Sequence, residues 1–525
     1  MESQHTLKKI IKSIISFLNH HFWIMPVLFS VVFFFLTTNH GIGLSPDSIA
    51  YLGVAENINN GSGITVPYGL PPNQLLTQFP PLLPILLSLI AKFGFSMVTS
   101  AKILNLILIT AFFTIMYLIL KLLDPRPSVF RSVTFIFIAI FISSTYVFSM
   151  LWSEPLMIVL GLSGFLVFYY SLTKNNFLYT FFAGVIFALT VASRYAGITY
   201  LFSTVFFVLI SVSISWKRKL LHLLFLSVPT ITFLAVWILR DIGNGISSTG
   251  RSLNFNPLNI SHIYQLLTTI AGWFQLPNTT FTIIKLFIFL LVFAFFLTVS
   301  WGLFFSKSKQ PYNIGKVFTV FVIIYSLFIL ISMMFLDSNI PLDTRILSPI
   351  LVIFLLMIVI ANKFDFITRY RLKIFYKMLV ALIPIFTIFV FLNNFPLLKQ
   401  AYQNGIGFNS KAWKNFESLQ YLNELSGSFY LISNAPEPVF YYTNHEVYSL
   451  PKKFLSMRQD ENLNYQSELQ ELISNELIEK TYFIFFHEIK GGSDSDISAL
   501  QNEFHFELDR SYPESTIYKY LPGDK

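Results

Sequence analysis

About eleven apolar stretches of a length that can cross a bilayer follow one another through the first 395 residues, with approximate cores at 22–39, 100–122, 129–150, 155–172, 177–192, 196–214, 220–239, 282–304, 317–336, 346–361 and 374–392. Inside a bilayer every backbone polar group must pair within the protein, so such stretches are read as helices. A shorter, Pro-interrupted run, PPLLPILLSLIAKF (80–93), is expected to be re-entrant or interfacial; if it spans, every later loop changes side. Composition agrees: 54% of residues are hydrophobic, 12% charged, and 59 are Phe. With no cysteine, disulfides, thiolate metal sites and catalytic thiols are excluded.

Basic residues are retained in short cytoplasmic loops. In the eleven-span reading, 18 Lys and Arg fall on one side, from Lys8, Lys9 and Lys12 to Lys373 and Lys377, against seven on the other (Lys92, Lys102, Arg194, Arg240, Arg251, Lys285, Arg345). The N-terminus is therefore expected inside and the C-terminal segment outside, in a multi-pass protein of the inner or plasma membrane. The first span, with basic residues ahead of it and no small-residue cleavage site after it, reads as an uncleaved anchor.

Acids are scarce where the spans are. Only Glu2, Asp47, Glu56, Asp124, Glu154, Asp241, Asp337, Asp343 and Asp365 serve residues 1–395, and the other 18 lie in 396–525. Six of the nine share the outer face with Arg194, Arg240, Arg251 and Arg345, as a site handling protons and anions would require. The 25 basic and nine acidic residues of 1–395 leave +16, and the 11 basic and 18 acidic residues of 396–525 leave −7.

Asp47 stands in the outer loop 40–99, in GLSPDSIAYLGVAENINNG. Ser45 can cap a helix, Pro46 suits its first position, and Asp47 then lies in a first turn that favours negative charge. The helix should run to about Asn59, with Asp47 and Tyr51 on one side and Ile49, Leu52, Ala55 and Ile58 facing lipid or protein. On local sequence, Asp47 as a helix-start charge and Asp47 as a working carboxylate remain equally open.

Other outer loops carry similar signals. Glu154 is pinned before Pro155 at the entry of a span, where it is a dipole partner or a site acid. Arg194 interrupts a nearly continuous apolar run in TVASRYAGITY, a costly place for a guanidinium that meets no anion, unless it snorkels to headgroups. WILRDIGNGISSTGRSLNF (237–255) holds Arg240, Asp241 and Arg251; LDSNIPLDTRILSPI (336–350) puts Asp343 and Arg345 just before a span, as site residues or as a mutual ion pair.

Residues 396–525 change character. FYLISN (429–434), EVYSL (446–450), TYFIFFHE (481–488) and STIYKYL (515–521) read as strands, and SKAWKNFESLQYLNEL and QSELQELISNELIEK as amphipathic helices. The expected architecture is an all-α polytopic membrane domain over 1–395 and a small extracytoplasmic α/β domain over 396–525, either an acceptor-recognition module or a stabilising lid.

The succession SPDSIAYLGVAENINNG, TQFPPLLPILLSLI, WSEP, SRYAG, LRD…TGR and DTRILSP, over roughly residues 20–350, resembles the GT-C class of polyprenyl-phosphate-sugar glycosyltransferases, among them bacterial relatives of the protein O-mannosyltransferases and of the aminoarabinose lipid A transferase. The resemblance implies a catalytic Asp in the first outer loop, here Asp47, as general base on an acceptor hydroxyl. It implies a second cavity acid at Glu154 and basic residues near the lipid phosphate at Arg194 and Arg345. Many members have Asp-Glu where this chain has Asp47-Ser48. Tyr51, Tyr195, Arg240, Arg251 and Asp343 complete the expected substrate-binding set.

The chemistry asks for these residue types by itself. A carboxylate can activate an incoming oxygen, and a leaving phosphate needs the fixed, permanently charged fork of Arg rather than a proton. One base attacking opposite the phosphate implies inversion at the anomeric carbon. The implied partners are a polyprenyl-phosphate-linked sugar, a glycan, lipid or protein acceptor, and the bilayer, with no nucleic acid. Outer acids could hold Mg or Mn, and His262 could add a nitrogen to Zn, but no HxxxH or paired-acid spacing occurs and no essential metal is expected. A lipid or solute transporter, or a non-catalytic envelope-assembly protein, is the alternative class; mid-span acids and repeat symmetry would mark a transporter.

Overall fold

The computed structural model describes residues 23–123, 129–245, 253–305, 313–361, 372–425, 429–455, 460–474, 481–487 and 506–520. Among the described residues the first helices are α1 (Ile24–Thr37), α2 (Pro46–Asn59) and the short α3 (Leu82–Ala91). The bundle continues with α4 (Met97–Leu123), α5 (Val129–Ser143), α6 (Ser153–Thr173), α7 (Phe177–Ser193), α8 (Ile198–Ile210) and α9 (Trp216–Gly243). It closes with α10 (Ile260–Trp273), α11 (Thr282–Phe305), α12 (Ile314–Phe335), α13 (Thr344–Ala361) and α14 (Leu372–Asn404).

Each of the eleven expected spans coincides with one of these helices. Among the described residues, α4, α6, α9, α11, α12, α13 and Leu382–Asn404 of α14 are long and apolar enough to cross a membrane, while α1, α5, α7 and α8 are shorter apolar helices. The Pro-interrupted run forms α3, ten residues long. Side-chain caps set several starts: Asn176 Oδ1 accepts from Leu178 N at 2.8 Å and Asn313 Oδ1 from Gly315 N at 2.9 Å.

Burial separates lipid-facing from central helices. In α11 only Lys285, Val299, Ser300 and Leu303 are buried, whereas α6 and α13 are buried along most of their length. Phe165 of α6 anchors the centre, its ring 5.2–6.0 Å from those of Phe187, Tyr200, Phe318 and Phe321. Tilted and edge-on rings at such spacings favour packing beyond the area they bury.

In the loop between α2 and α3, β1 (Thr65–Val66) pairs antiparallel with β3 (Gln74–Leu75), and β2 (Tyr68–Gly69) lies between them in sequence. The C-terminal region adds β4 (Tyr430–Ser433), β5 (Val447–Ser449), a small pair β6 (Phe454–Leu455) and β7 (Asp460–Glu461), then β8 (Thr481–Phe486), β9 (Phe506–Ser511) and β10 (Ser515–Tyr520). Its helices are α15 (Glu417–Glu424), α16 (Pro436–Thr443) and α17 (Tyr465–Ser474). The four expected strands are all present. The expected helix over 410–425 is instead a turn at Lys411–Lys414 followed by α15, broken at Asn415 and Phe416.

The sheet order is β2-β5-β4-β8-β10-β9. Its first strand comes from the loop between α2 and α3: Tyr68 pairs in parallel with Val447 and Gly69 with Tyr448. Helix α14 runs through residue 395 without interruption. The α/β region is thus assembled partly from the membrane region's own loop. Helix α2 joins the two cores, placing Ile49 among Leu419, Leu431, Val439 and Ile484 of the α/β core and Tyr51, Leu52 and Ala55 in the bundle core. Those positions face protein, and burying Ile49 alone contributes roughly 1.5–3 kcal/mol.

Candidate functional site

The loop before α2 is held from both sides. Gly43 N donates to Ser149 O and Leu151 N to Gly43 O, both at 2.9 Å. On the other side Phe408 N donates to Leu44 O at 2.9 Å, across a bridge between Leu44 and Gly407. Gly407 has φ +61°, and a Cβ there would stand 2.0 Å from Leu44 O, so only glycine fits the contact. Ser45 is extended, Pro46 opens α2, and Ser48 Oγ accepts from Ser45 N at 3.0 Å. Ser48 is fully buried and donates to Leu151 O at 2.8 Å. Ser48, the neighbour of Asp47, therefore caps the helix and ties it to the segment before α6.

Asp47 in the first turn of α2 pairs with Arg345, which links it to Glu154 and through it to Arg194. Arg345 Nη2 donates to Asp47 Oδ2 at 2.5 Å, and its Nε to Glu154 Oε1 at 2.6 Å. Arg194 Nη1 reaches the same Glu154 oxygen at 3.0 Å and Ser153 Oγ at 3.1 Å. Tyr51 OH donates to Ser153 Oγ at 3.3 Å. The Arg345 guanidinium lies over the Trp152 ring at 4.8 Å, and Trp152 Nε1 donates to Ser45 Oγ at 3.0 Å. Glu154 is fully enclosed between two arginines, with Oε2 buried and unpartnered, whereas the Asp47 side chain keeps 29% of its surface exposed. The two acids thus differ in kind: one locks two guanidinium groups, the other is open.

Asp343 caps α13, its Oδ1 accepting from Ile346 N at 3.0 Å. Burial raises its carboxyl above the ordinary range, with the bond from Ile346 and the charge of Arg345 pulling the other way. Burial also pushes the Tyr51 phenol far up, Asp47 adds to the rise, and Arg194 opposes it. An apolar cavity of about 500 Å³ is lined by Leu342 and Leu347, which precede and follow Arg345 in sequence, and by Ile263, Trp273, Phe293 and Met333, while the four charged residues of the cluster are not among its walls.

Other expected site residues lie elsewhere. Tyr195 OH donates to Thr77 O at 2.9 Å and accepts from Trp237 Nε1 at 3.0 Å. Arg240 pairs with its neighbour Asp241, donates through Nη2 to Leu76 O at 2.7 Å and lies 3.5 Å from the Trp237 ring centre. These two residues anchor the segment leading to α3. Arg251 lies outside the described residues. His262 uses both ring nitrogens, Nδ1 accepting from Asn259 N at 3.1 Å and Nε2 facing Ser338 O at 3.0 Å. Among the described residues no three His, Asp or Glu side chains gather as a metal site.

Trp152 and Ser153 belong to the site's framework, signalled in the sequence only by the WSEP motif in which they precede Glu154, and Ser48 joins them as the neighbour of Asp47.

No family model and no curated protein sequence matches the chain. Among solved structures it is similar to the crystal structure of ArnT from Cupriavidus metallidurans in the apo state, with a TM-score of 0.52 over 95% of this chain and 97% of that one, at 10% sequence identity. ArnT is the aminoarabinose lipid A transferase, a GT-C glycosyltransferase. At that identity the likeness speaks for the fold: this chain has the GT-C architecture, a polytopic helical bundle carrying a small C-terminal α/β region.

Proposed function

We propose that the protein transfers a sugar from a polyprenyl-phosphate carrier to an acceptor hydroxyl at the extracytoplasmic face of the membrane, with Asp47 as general base. The observation that carries this reading is the Asp47, Arg345, Glu154 and Arg194 network, closed across 298 residues of chain, with an apolar cavity lined by Leu342 and Leu347 of the segment that carries Arg345. A carrier of this class has an isoprenoid tail for the cavity and a phosphate for the arginines. GT-C architecture supports the same class.

In this mechanism Asp47 takes the proton of the acceptor hydroxyl as its oxygen forms a bond to the anomeric carbon. The carbon–oxygen bond to the phosphate breaks, and the polyprenyl phosphate leaves with the electron pair, stabilised by Arg345 and Arg194. Attack opposite the leaving group inverts the anomeric configuration. Glu154, buried and doubly paired, acts by fixing the orientation of both arginines rather than by moving a proton.

The test is direct. Purified full-length protein given an undecaprenyl-phosphate-linked sugar should release undecaprenyl phosphate and form a glycosidic product of inverted configuration, resolved by mass analysis and NMR. Donor that remains intact, with movement of lipid between vesicle leaflets instead, would support the transporter class.

A further inference from the structure

Three consecutive residues hold the two arginines of the cluster. Glu154 Oε1 accepts from Arg345 Nε at 2.6 Å and from Arg194 Nη1 at 3.0 Å, and Ser153 Oγ accepts from Arg194 Nη1 at 3.1 Å. Trp152 meets Arg345 through its face, the ring centre standing 4.8 Å from the guanidinium carbon. At its polar edge the same indole donates from Nε1 to Ser45 Oγ at 3.0 Å. Ser45 is the N-cap of α2, two residues before Asp47, and its Oγ also lies 3.0 Å from Ser48 Oγ. One side chain therefore touches both the arginine assigned to the leaving phosphate and the cap of the helix that carries the proposed base.

The backbone that carries Trp152 is tied on several sides. Gly43 bridges to Met150, with Gly43 N donating to Ser149 O and Leu151 N to Gly43 O. Buried Asn105 donates to Phe148 O at 2.9 Å and to Met150 O at 2.8 Å, and Ser48 Oγ reaches Leu151 O at 2.8 Å. Trp152 itself is extended and half-buried at the N-cap of α6. A ring on such a support cannot follow the arginine, so the arginine conforms to the ring. A bond from Nε to Glu154 alone would leave the guanidinium plane free to turn about it, and the face contact removes that freedom. With the plane set, Arg345 Nη2 stands 2.5 Å from Asp47 Oδ2.

We propose that Trp152 is a positioning residue that aligns the phosphate-binding arginine and the base with each other. Its ring sets the plane in which Arg345 presents N–H groups to the donor phosphate, and its indole N–H sets the start of α2 and with it the reach of Asp47. The two contacts act on different steps. Phosphate is held both before and during transfer, so loss of the ring weakens donor binding. The base works only as the acceptor attacks, so loss of the N–H slows transfer and leaves donor binding almost unchanged. This rests on the glycosyltransferase reading and adds the residue that couples its base to its phosphate fork.

Full-length wild type, Trp152→Phe, Trp152→Leu and Ser45→Ala would be compared in nanodiscs, with undecaprenyl phosphate as the binding probe and single-turnover cleavage of an undecaprenyl-phosphate-linked sugar as the rate. Trp152→Phe keeps a ring and loses the N–H: affinity for undecaprenyl phosphate should stay within about twofold of wild type while the rate falls about two- to tenfold. Trp152→Leu loses both contacts, and its affinity should fall by about two- to thirtyfold. Ser45→Ala should slow cleavage as Trp152→Phe does. The double variant should lose less than the product of the two single losses, because both remove one hydrogen bond. Equal affinity in Trp152→Phe and Trp152→Leu, or single losses that multiply in the double variant, overturns the proposal. So does a fall of affinity and rate in equal proportion that follows the melting temperature, which is what a merely structural tryptophan would give. If Trp152→Leu does not fold, Trp152→Phe and Ser45→Ala carry the test through their coupling. A wild type that binds undecaprenyl phosphate and cleaves no linked sugar overturns the glycosyltransferase reading instead, and the affinity of Trp152→Leu then still reads the ring contact.

Discussion

Among the described residues, one arginine–acid set lies beside Trp237 and another beside Trp152. Arg240 and Asp241 are sequence neighbours at the end of α9, under Trp237, and their outward reach ends on the Leu76 carbonyl. Arg345, Glu154, Arg194 and Asp47 come from four separate segments, under Trp152, and leave one carboxylate accessible. Charge type and aromatic company are alike in the two sets. What differs is how many elements converge and whether a charged oxygen remains reachable. The first set anchors a loop; the second is the proposed site.

Mutation of the shared arginine should break the second set most severely. Arg345→Gln leaves Glu154 with one partner and Asp47 with none, and should lower stability by about 3–5 kcal/mol in thermal unfolding and abolish measurable donor turnover. Arg345→Lys should recover part of the stability but little donor affinity, because the two-pronged geometry is lost. The matching change in the first set, Arg240→Gln, should cost about 1–3 kcal/mol by leaving buried Asp241 unpaired, while turnover stays within an order of magnitude of wild type. If Arg240→Gln abolished turnover at unchanged melting temperature, the two sets would no longer differ in kind.

The packing that carries Asp47 to its arginine offers a smaller perturbation. A Cβ on Gly53 would come within 2.6 Å of Pro67 Cγ and 3.0 Å of Phe440 Cε1. Gly53→Ala therefore forces α16 and Pro67 away from α2 and should cost about 1–3 kcal/mol, with kcat falling more than donor KM changes. The smallest effect is in pH. Burial raises the folded Glu437 carboxyl, in the first turn of α16, above its ordinary value of 4.5, so the native state holds that proton more tightly than the unfolded chain. Stability from this group is unaffected below the unfolded pKa and declines as pH rises from there through the folded pKa. Glu437→Gln should flatten that decline in urea unfolding curves followed from pH 4 to 8.

Local signals made much of this legible. The apolar stretches located the helices, and Ser45-Pro46-Asp47 marked the start of α2 because capping and the helix dipole act within one turn. The gathering of Asp47, Glu154, Arg194 and Arg345 followed from the scarcity of acids and a common side. Tyr195 and Arg240 were grouped with the site for the same reason, yet their partners are backbone carbonyls of Thr77 and Leu76, which no side-chain pattern reveals. The recruitment of Tyr68 and Gly69 into the α/β sheet was equally hidden, since two residues after a proline carry no strand periodicity.

The account turns on Asp47 as the open carboxylate of the converged set. Single-turnover cleavage of an undecaprenyl-phosphate-linked sugar by purified Asp47→Asn protein, with donor binding measured alongside, tests it most directly. The account predicts a rate lower by about 10²–10⁴-fold with donor still bound; cleavage within a few-fold of wild type would contradict it.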